Sequence, residues 1–493
     1  MRPLLEHRPL ASLRKAKNLA DSPLYAQVLT IAAPVVVELI LTSLTQMVDI
    51  IMVGKLGAYA ISAVGLTHQP RFIMLATFIA LNVGSTALVA RFRGQGNQKE
   101  ADIVTVQSFL MALLMAFVLT VPGMIFAGSM VKFMGAGADT LGPATQYFSI
   151  LMLGLVTMAV PITVSALLRG VGETKIAMRY NITANVVNIF FNYLLIYGNF
   201  GFPRLEVRGA AIATVLGHGV ASVMALYAII GVRARRAKLL AGSKSDLKDR
   251  RSEARKKMLS GPSGFIELRL NKETLKPNFP MIKRIVKIGL PSAAEQLILR
   301  VGLMMFVLTI TSLGTRVFAA HQIVLTILNM SFVSGQAFGI AATSLTGQAL
   351  GRGDPLKAKA ASAACQKIGA LISTLMGVGM FVFRGPLMGL FTPEADIIAL
   401  GIGALILAAL VQPFQSSFQI YTGALRGAGD SFYPALSLTI GLLGIRPTLS
   451  YVFVHILDYG LVGAWSALFF DQVFRFAMIV IRFRRGKWVH TKV

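Results

Sequence analysis

The sequence predicts an all-α polytopic membrane protein, with twelve transmembrane helices in two pseudo-symmetric six-helix lobes. Three observations carry that prediction. Twelve apolar runs, each near the roughly 20 residues needed to cross a hydrocarbon core, lie at 28–53, 69–90, 103–127, 144–168, 176–198, 209–231, 285–313, 318–346, 360–383, 396–422, 432–456 and 461–481. With both termini on the cytoplasmic side, 38 lysines and arginines fall in inner segments and 6 in outer loops, the asymmetry that orients membrane proteins. The second half of the chain also repeats the first at a constant offset of 257 residues, the mark of a duplicated structural unit.

Bulk composition supports the class. Of 493 residues, 55% are hydrophobic and 14% charged, and the formal net charge is +27. A basic chain invites a nucleic-acid reading, but here the basic residues flank spans and form no single patch, so nucleic acid is not an expected partner. The partner expected is the lipid bilayer, with the chain a monomer. The single cysteine, Cys365, excludes an intramolecular disulfide and a thiolate metal cluster. The N-terminus is basic, yet it has no apolar core and no small-residue cleavage site, so it reads as a cytoplasmic tail.

These elements define five segments. They are an N-terminal cytoplasmic tail (1–27), a first lobe (28–231), a basic linker (232–284), a second lobe (285–483) and a C-terminal cytoplasmic tail (484–493). The linker, together with Lys287 just beyond it, holds 17 of the basic residues counted inside. It reads as a solvated connector that sets topology, or as a site for anionic headgroups.

The first span, IAAPVVVELILTSLTQMVDIIMVGKLG from Ile31 to Gly57, organises the rest. Glu38, Thr42, Thr45 and Asp49 stand at i, i+4, i+7 and i+11 and share one helical face. Acids in a span are costly against lipid, so this face should look into protein or a wet cavity. The stretch returns as IGLPSAAEQLIL, Ile288 to Leu299. At the offset of 257, Pro34 meets Pro291, Glu38 meets Glu295, Gly94 and Gly96 meet Gly351 and Gly353, and Arg169-Gly170 and Gly172 meet Arg426-Gly427 and Gly429. The Gly-x-Gly strings follow helices and lack the GxxxxGK[ST] pattern, so they are not phosphate loops. If the protein moves a solute uphill, an ion gradient and not ATP is the source within this chain.

Several motifs together resemble the multidrug and toxic compound extrusion (MATE) family of secondary transporters. They are VDIIMVGKLG (Val48 to Gly57), NVVNIFFNYLLIYG (Asn185 to Gly198), AAHQI (Ala319 to Ile323), GQALGRGD (Gly347 to Asp354) and the two RGxG loops. The resemblance runs from about residue 28 to Trp488. It implies a V-shaped arrangement of the two lobes. It implies a secondary antiporter, not an enzyme, that exports amphipathic, often cationic compounds by alternating access in exchange for Na⁺ or H⁺. It places the protein in the inner or plasma membrane.

Asp49 is the first candidate for cation or proton coupling. Asn181, Asn185, Asn188 and Asn192 recur at helical spacing in the fifth span and form one amide stripe. Amide oxygens and a carboxylate suit a hard cation such as Na⁺, which makes Asp49 and Asn188 candidate metal ligands, with Asn192 and, from the sixth span, Thr214 beside them. The plainer reading of the stripe is interhelical hydrogen bonding. In archaeal and DinF-like relatives an aspartate stands where this chain has Asn192, so a two-carboxylate proton site is in doubt here.

Glu38 and Glu295, each one turn past a proline, are candidates for a cavity floor or gate. The alternative is a structural ion pair with a membrane arginine. Arg300 lies five residues from Glu295, about 140° around the helix, so Arg446 is the better partner. NorM-like relatives carry acids in the seventh and tenth helices. The tenth-helix acid aligns with Gln415 and the seventh falls near Leu299, so that second-lobe site is not reproduced. Gln412, Gln415 and Gln419 form a polar face that either touches substrate or Glu295, or stitches helices. Asp471 and Arg475, four apart, should pair with each other. His321 reads as structural. Two other functions stay open at this stage. One is a flippase for lipid or polyprenyl-linked cargo, to which Arg71, Arg300 and Arg446 would be suited. The other is a non-transporting scaffold that acts through the basic linker.

Overall fold

The computed structural model describes residues 22–231, 266–269, 275–392 and 394–491. The N-terminal tail to residue 21 and most of the basic linker lie outside the described residues. Among those described, every regular element is helical. The spans are α1 (Ser22–Gly54), α2 (Ala58–Gln95), α3 (Gln98–Ile125), α4 (the bent pair Ala138–Leu153 and Leu155–Gly170), α5 (Thr174–Tyr197) and α6 (Glu206–Ile229), then α7 (Phe279–Thr311), α8 (Thr315–Gly351), α9 (Pro355–Val382), α10 (Ala395–Gly427), α11 (Phe432–Ile456) and α12 (Gly460–Arg484). Ten of these are long and apolar enough to cross a membrane, and the α4 pair, bent by 53°, makes an eleventh. The twelfth is α5, whose four asparagines dilute its apolar character.

Local sequence explains the irregular places. α4 breaks at Gly154, where an added Cβ would press into the Val215 side chain. α11 widens into π-helix over Ile440–Ile445 and Val452–Ile456, on either side of the Arg446-Pro447 turn. Proline cannot donate the backbone hydrogen bond an α-helix requires there. α1 and α7, by contrast, each continue for 33 residues through Pro34 and Pro291.

The repeat is present in the backbone. Gly57 and Gly314 precede α2 and α8 with φ of 118° and 100°, Gly96 and Gly353 follow them at 71° and 73°, and Gly172 and Gly429 close α4 and α10 at 83° and 88°. Only glycine takes these values without strain. Asn97 caps α3 by accepting from Glu100 N at 3.2 Å, and Asp354 caps α9 by accepting from Lys357 N at 2.9 Å. Thr86 Oγ1 donates to Ala166 O at 3.0 Å, and Thr343 Oγ1 donates to Gly423 O at 2.8 Å. Each member of these pairs is 257 residues from its counterpart.

The chain divides into two compact units, one holding Pro34–Arg300 and the other the described residues up to Ala33 with those from Val301 onward. The boundaries therefore fall inside α1 and α7, not at the linker. Packing gives the reason. In the first unit, Ile285 and Ile288 of α7 are buried with Leu88, Val164 and Leu167, and Gly289 lets α7 lie against the backbone of Ala80. In the second, Val28, Ile31 and Ala32 of α1 are buried with Phe338, Leu345, Phe418 and Trp488. Linker residues Ile266 and Leu268 are core members of the first unit, tied down by Leu268 N donating to Ile229 O and Glu267 N donating to Asp102 Oδ1, both at 2.9 Å.

Candidate functional site

The polar face of α1 meets the amide stripe of α5 in register. Asn181 Nδ2 donates to Glu38 Oε1 at 2.8 Å, Asn185 Nδ2 to Thr42 Oγ1 at 3.2 Å, and Asn192 Nδ2 to Asp49 Oδ1 at 2.6 Å. Each pair is 143 residues apart. A constant separation means two helices running parallel, rung matched to rung. Asn188 joins the last rung. With its oxygen turned to accept from Thr214 Oγ1 (3.3 Å) and Thr214 N (3.2 Å), its nitrogen donates to Asp49 Oδ1 at 2.9 Å. That orientation, assigned from the hydrogen-bond network, satisfies both ends of the amide. Thr45 stays within its own helix, donating to Leu41 O at 2.9 Å.

The three membrane acids with resolved partners fare differently. Glu38 is buried and forms an ion pair with Arg169 at 2.5 Å. The membrane arginine that pairs with it is Arg169, which reaches it from the end of α4. Asp471, fully buried, is held by both Arg446 (2.5 Å) and Arg475 (2.9 Å). The Asp471–Arg475 pairing follows the expected spacing. Arg446 belongs to this cluster and not with Glu295. Asp49 alone of the three accepts only amide donors, and it is half-buried. Arg71 is close enough for its charge to act on Asp49 without forming an ion pair. Glu295 is buried within the first unit.

The glutamines of α10 are packed, not displayed. Gln412 Nε2 donates to Ala408 O of its own helix at 3.2 Å. With Gln415, Gln419, Ser331 and Ser373 it rims a narrow void of about 140 Å³. The Oε1 atoms of Gln415 and Gln419 find no partner there. His321 is buried among Phe306, Phe318 and Trp465, an aromatic cluster in the core of the second unit.

The sequence alone does not single out Arg169, because its RGxG setting reads as a turn. The signal available was its repeat partner: Arg169 and Arg426 share one offset with Glu38 and Glu295.

Asp49's surroundings fit reversible cation or proton loading. An amide that donates to a carboxylate becomes, when turned, an acceptor from the protonated acid or a ligand to a cation. The buried Oδ1 of Asn192 has no hydrogen-bond partner and is available for that role. Among the described residues no group of three His, Cys, Asp or Glu side chains is placed to hold a metal.

Twelve spans, a duplicated unit and an ionisable group inside one half define a multi-pass membrane transporter. The MatE family model matches the chain twice, over 34–194 and 291–452. The two matches begin 257 residues apart, the offset of the repeat. The chain belongs to the MATE family. It is 27% identical over 462 residues to "Probable multidrug resistance protein NorM" of Thermotoga maritima, covering 94% of this chain and 92% of that protein. It is 24% identical over 463 residues to the protein of the same description from Idiomarina loihiensis, covering 92% and 93%. A solved structure described as the outward-facing conformation of a multidrug resistance MATE family transporter aligns with a TM-score of 0.79 at 22% identity, over 96% of this chain and 97% of that one.

Proposed function

We propose that this protein is a secondary multidrug exporter that expels amphipathic compounds across the cell membrane in exchange for H⁺ or Na⁺, with Asp49 as the coupling group. One observation carries the reading. Asp49 is a membrane carboxylate held only by amides that can reverse their polarity, whereas Glu38 and Asp471 are each neutralised by arginine. An acid locked by a guanidinium keeps one charge state, while an acid held by amides can exchange its occupant.

In this scheme the loaded and unloaded forms of Asp49 favour different conformations of an alternating-access cycle. Each ligand moves that equilibrium only by its differential affinity for the two states. Asn188 and Asn192 orient the carboxylate, and Thr214 sets the Asn188 amide. The family relatives named for multidrug resistance support the substrate class, and the lysine and arginine asymmetry supports cytoplasmic termini.

Ethidium efflux from proteoliposomes tests this, with a pH gradient and a Na⁺ gradient imposed separately. One gradient should drive export in the wild type, and Asp49→Asn should abolish it while the protein stays folded and inserted. Export by Asp49→Asn at the wild-type rate, or export indifferent to both gradients, would refute the scheme.

A further inference from the structure

Two guanidinium groups stand inside the spans of the first unit without a direct ion pair among the described residues. Arg71 is the fourteenth residue of α2 and Arg300 lies eleven residues before the end of α7. At 1.5 Å per residue these positions are about 20 Å and 16 Å from the outer helix ends, near mid-membrane. Both side chains are half-buried, and among the described residues neither makes an ion pair. The Nε atom of each is buried without a hydrogen-bond partner. The Arg300 guanidinium lies over the Phe72 ring at 3.4 Å from its centroid, one residue beyond Arg71. His68, one turn before Arg71, is close enough to feel both charges.

Membrane arginines are costly and normally paired. Elsewhere this chain follows that rule: Arg169 has Glu38, and Arg446 and Arg475 share Asp471. Arg71 and Arg300 depart from it together, and Phe72 joins them. Stacking on an aromatic face fixes the guanidinium plane and leaves its edge N–H groups free, the fork that binds carboxylate, sulfonate or phosphate with two parallel hydrogen bonds.

We propose that Arg71 and Arg300, with Phe72 as the platform, form a recognition site for the anionic group of an amphipathic cargo. The inference rests on the transport reading and extends its substrate class: besides cations such as ethidium, the first half accepts amphiphiles that carry a carboxylate, sulfonate or phosphate beside an apolar body. The anionic group comes either from a free amphiphile or from a lipid headgroup.

The test is equilibrium binding to the full-length protein in uncharged phosphatidylcholine nanodiscs, with cholate and its methyl ester as probes of equal shape and different charge. No gradient is present, so a failure of ion coupling does not affect the result. The wild type should prefer cholate by about tenfold or more. Arg71→Gln and Arg300→Gln should each bring the two affinities together, while Arg71→Lys and Arg300→Lys, which keep the charge, should retain most of the preference. Equal binding of the two probes by the wild type overturns the proposal, as does an unchanged preference in both glutamine variants. Repeating the measurement with phosphatidylglycerol in the nanodisc separates the sources. Competition that the glutamine variants lose assigns the site to a headgroup, and cholate binding without competition assigns it to a free amphiphile.

Discussion

The two halves of this chain share a backbone and differ in what the backbone encloses. The turn glycines, the caps of α3 and α9 and the threonine bonds of α2 and α8 recur at one offset with nearly the same geometry. The polar ladder does not recur. Where the first half has Asn181, Asn185, Asn188 and Asn192, the second has Leu438, Leu442, Ile445 and Leu449; Thr42 becomes Leu299 and Asp49 becomes Phe306. The second half has rebuilt its charge elsewhere, as the locked Arg446–Asp471–Arg475 cluster, with the Arg446 guanidinium 5.4 Å from the Phe306 ring. Duplication preserved the helix-to-helix contacts that any copy needs to fold. It did not preserve the ionisable site, so the proposed ion coupling falls to one half.

Four sets of substitutions break or sharpen that comparison. The largest effect on stability should follow Asp471→Ala, which strands two buried guanidinium groups in the second half. A cost of about 3–5 kcal/mol is expected, read as loss of monodisperse protein on heating in detergent. Replacing all three members of the cluster by apolar residues should recover most of it.

Next come the paired glycines. Gly170→Ala and Gly427→Ala place a methyl group against the carbonyl oxygens of Thr86 and Thr343, respectively. Both should destabilise by about 1–3 kcal/mol, and by similar amounts, because the backbone is what the halves share. A large cost in one half alone would contradict the equivalence.

Exchange of ladder residues separates the halves again. Leu442 is fully buried, and Leu442→Asn should cost about 1–3 kcal/mol for an unsatisfied amide. Asn192→Leu, an amide-to-apolar exchange on the ladder of the first half, should be milder for stability yet reduce gradient-driven efflux, since Asp49 loses its 2.6 Å partner. The smallest effect belongs to Thr42→Ala, which removes one 3.2 Å rung worth about 0.5–1.5 kcal/mol and should leave coupling intact.

Legibility in the sequence followed the range of each interaction. Span positions were readable because hydrophobicity is a local property, and α5 was readable through its flanks and spacing even though its amides weaken it. The acid-to-amide ladder was half legible. Helical periodicity put Glu38, Thr42 and Asp49 on one face and the asparagines on another, but a periodicity cannot name the partner helix. Asp471–Arg475 was readable as an i, i+4 pair, whereas Arg446, 25 residues away, was not. Arg169 reaches Glu38 across 131 residues, a distance at which a turn motif hid a charge partner. The same limit explains the unit boundaries. The apolar faces of residues 28–32 and 285–288 show that they are buried, not which core receives them.

The most direct measurement of the central assignment is ion uptake by the purified protein at equilibrium. Bound ²²Na⁺ and proton release on ethidium addition would be followed in the wild type, Asp49→Asn and Leu442→Asn. The account predicts saturable exchange of one of the two ions in the wild type, its loss in Asp49→Asn, and its retention in the fraction of Leu442→Asn that folds. Undiminished ion exchange in Asp49→Asn would contradict it and move the coupling site out of the α1–α5 ladder.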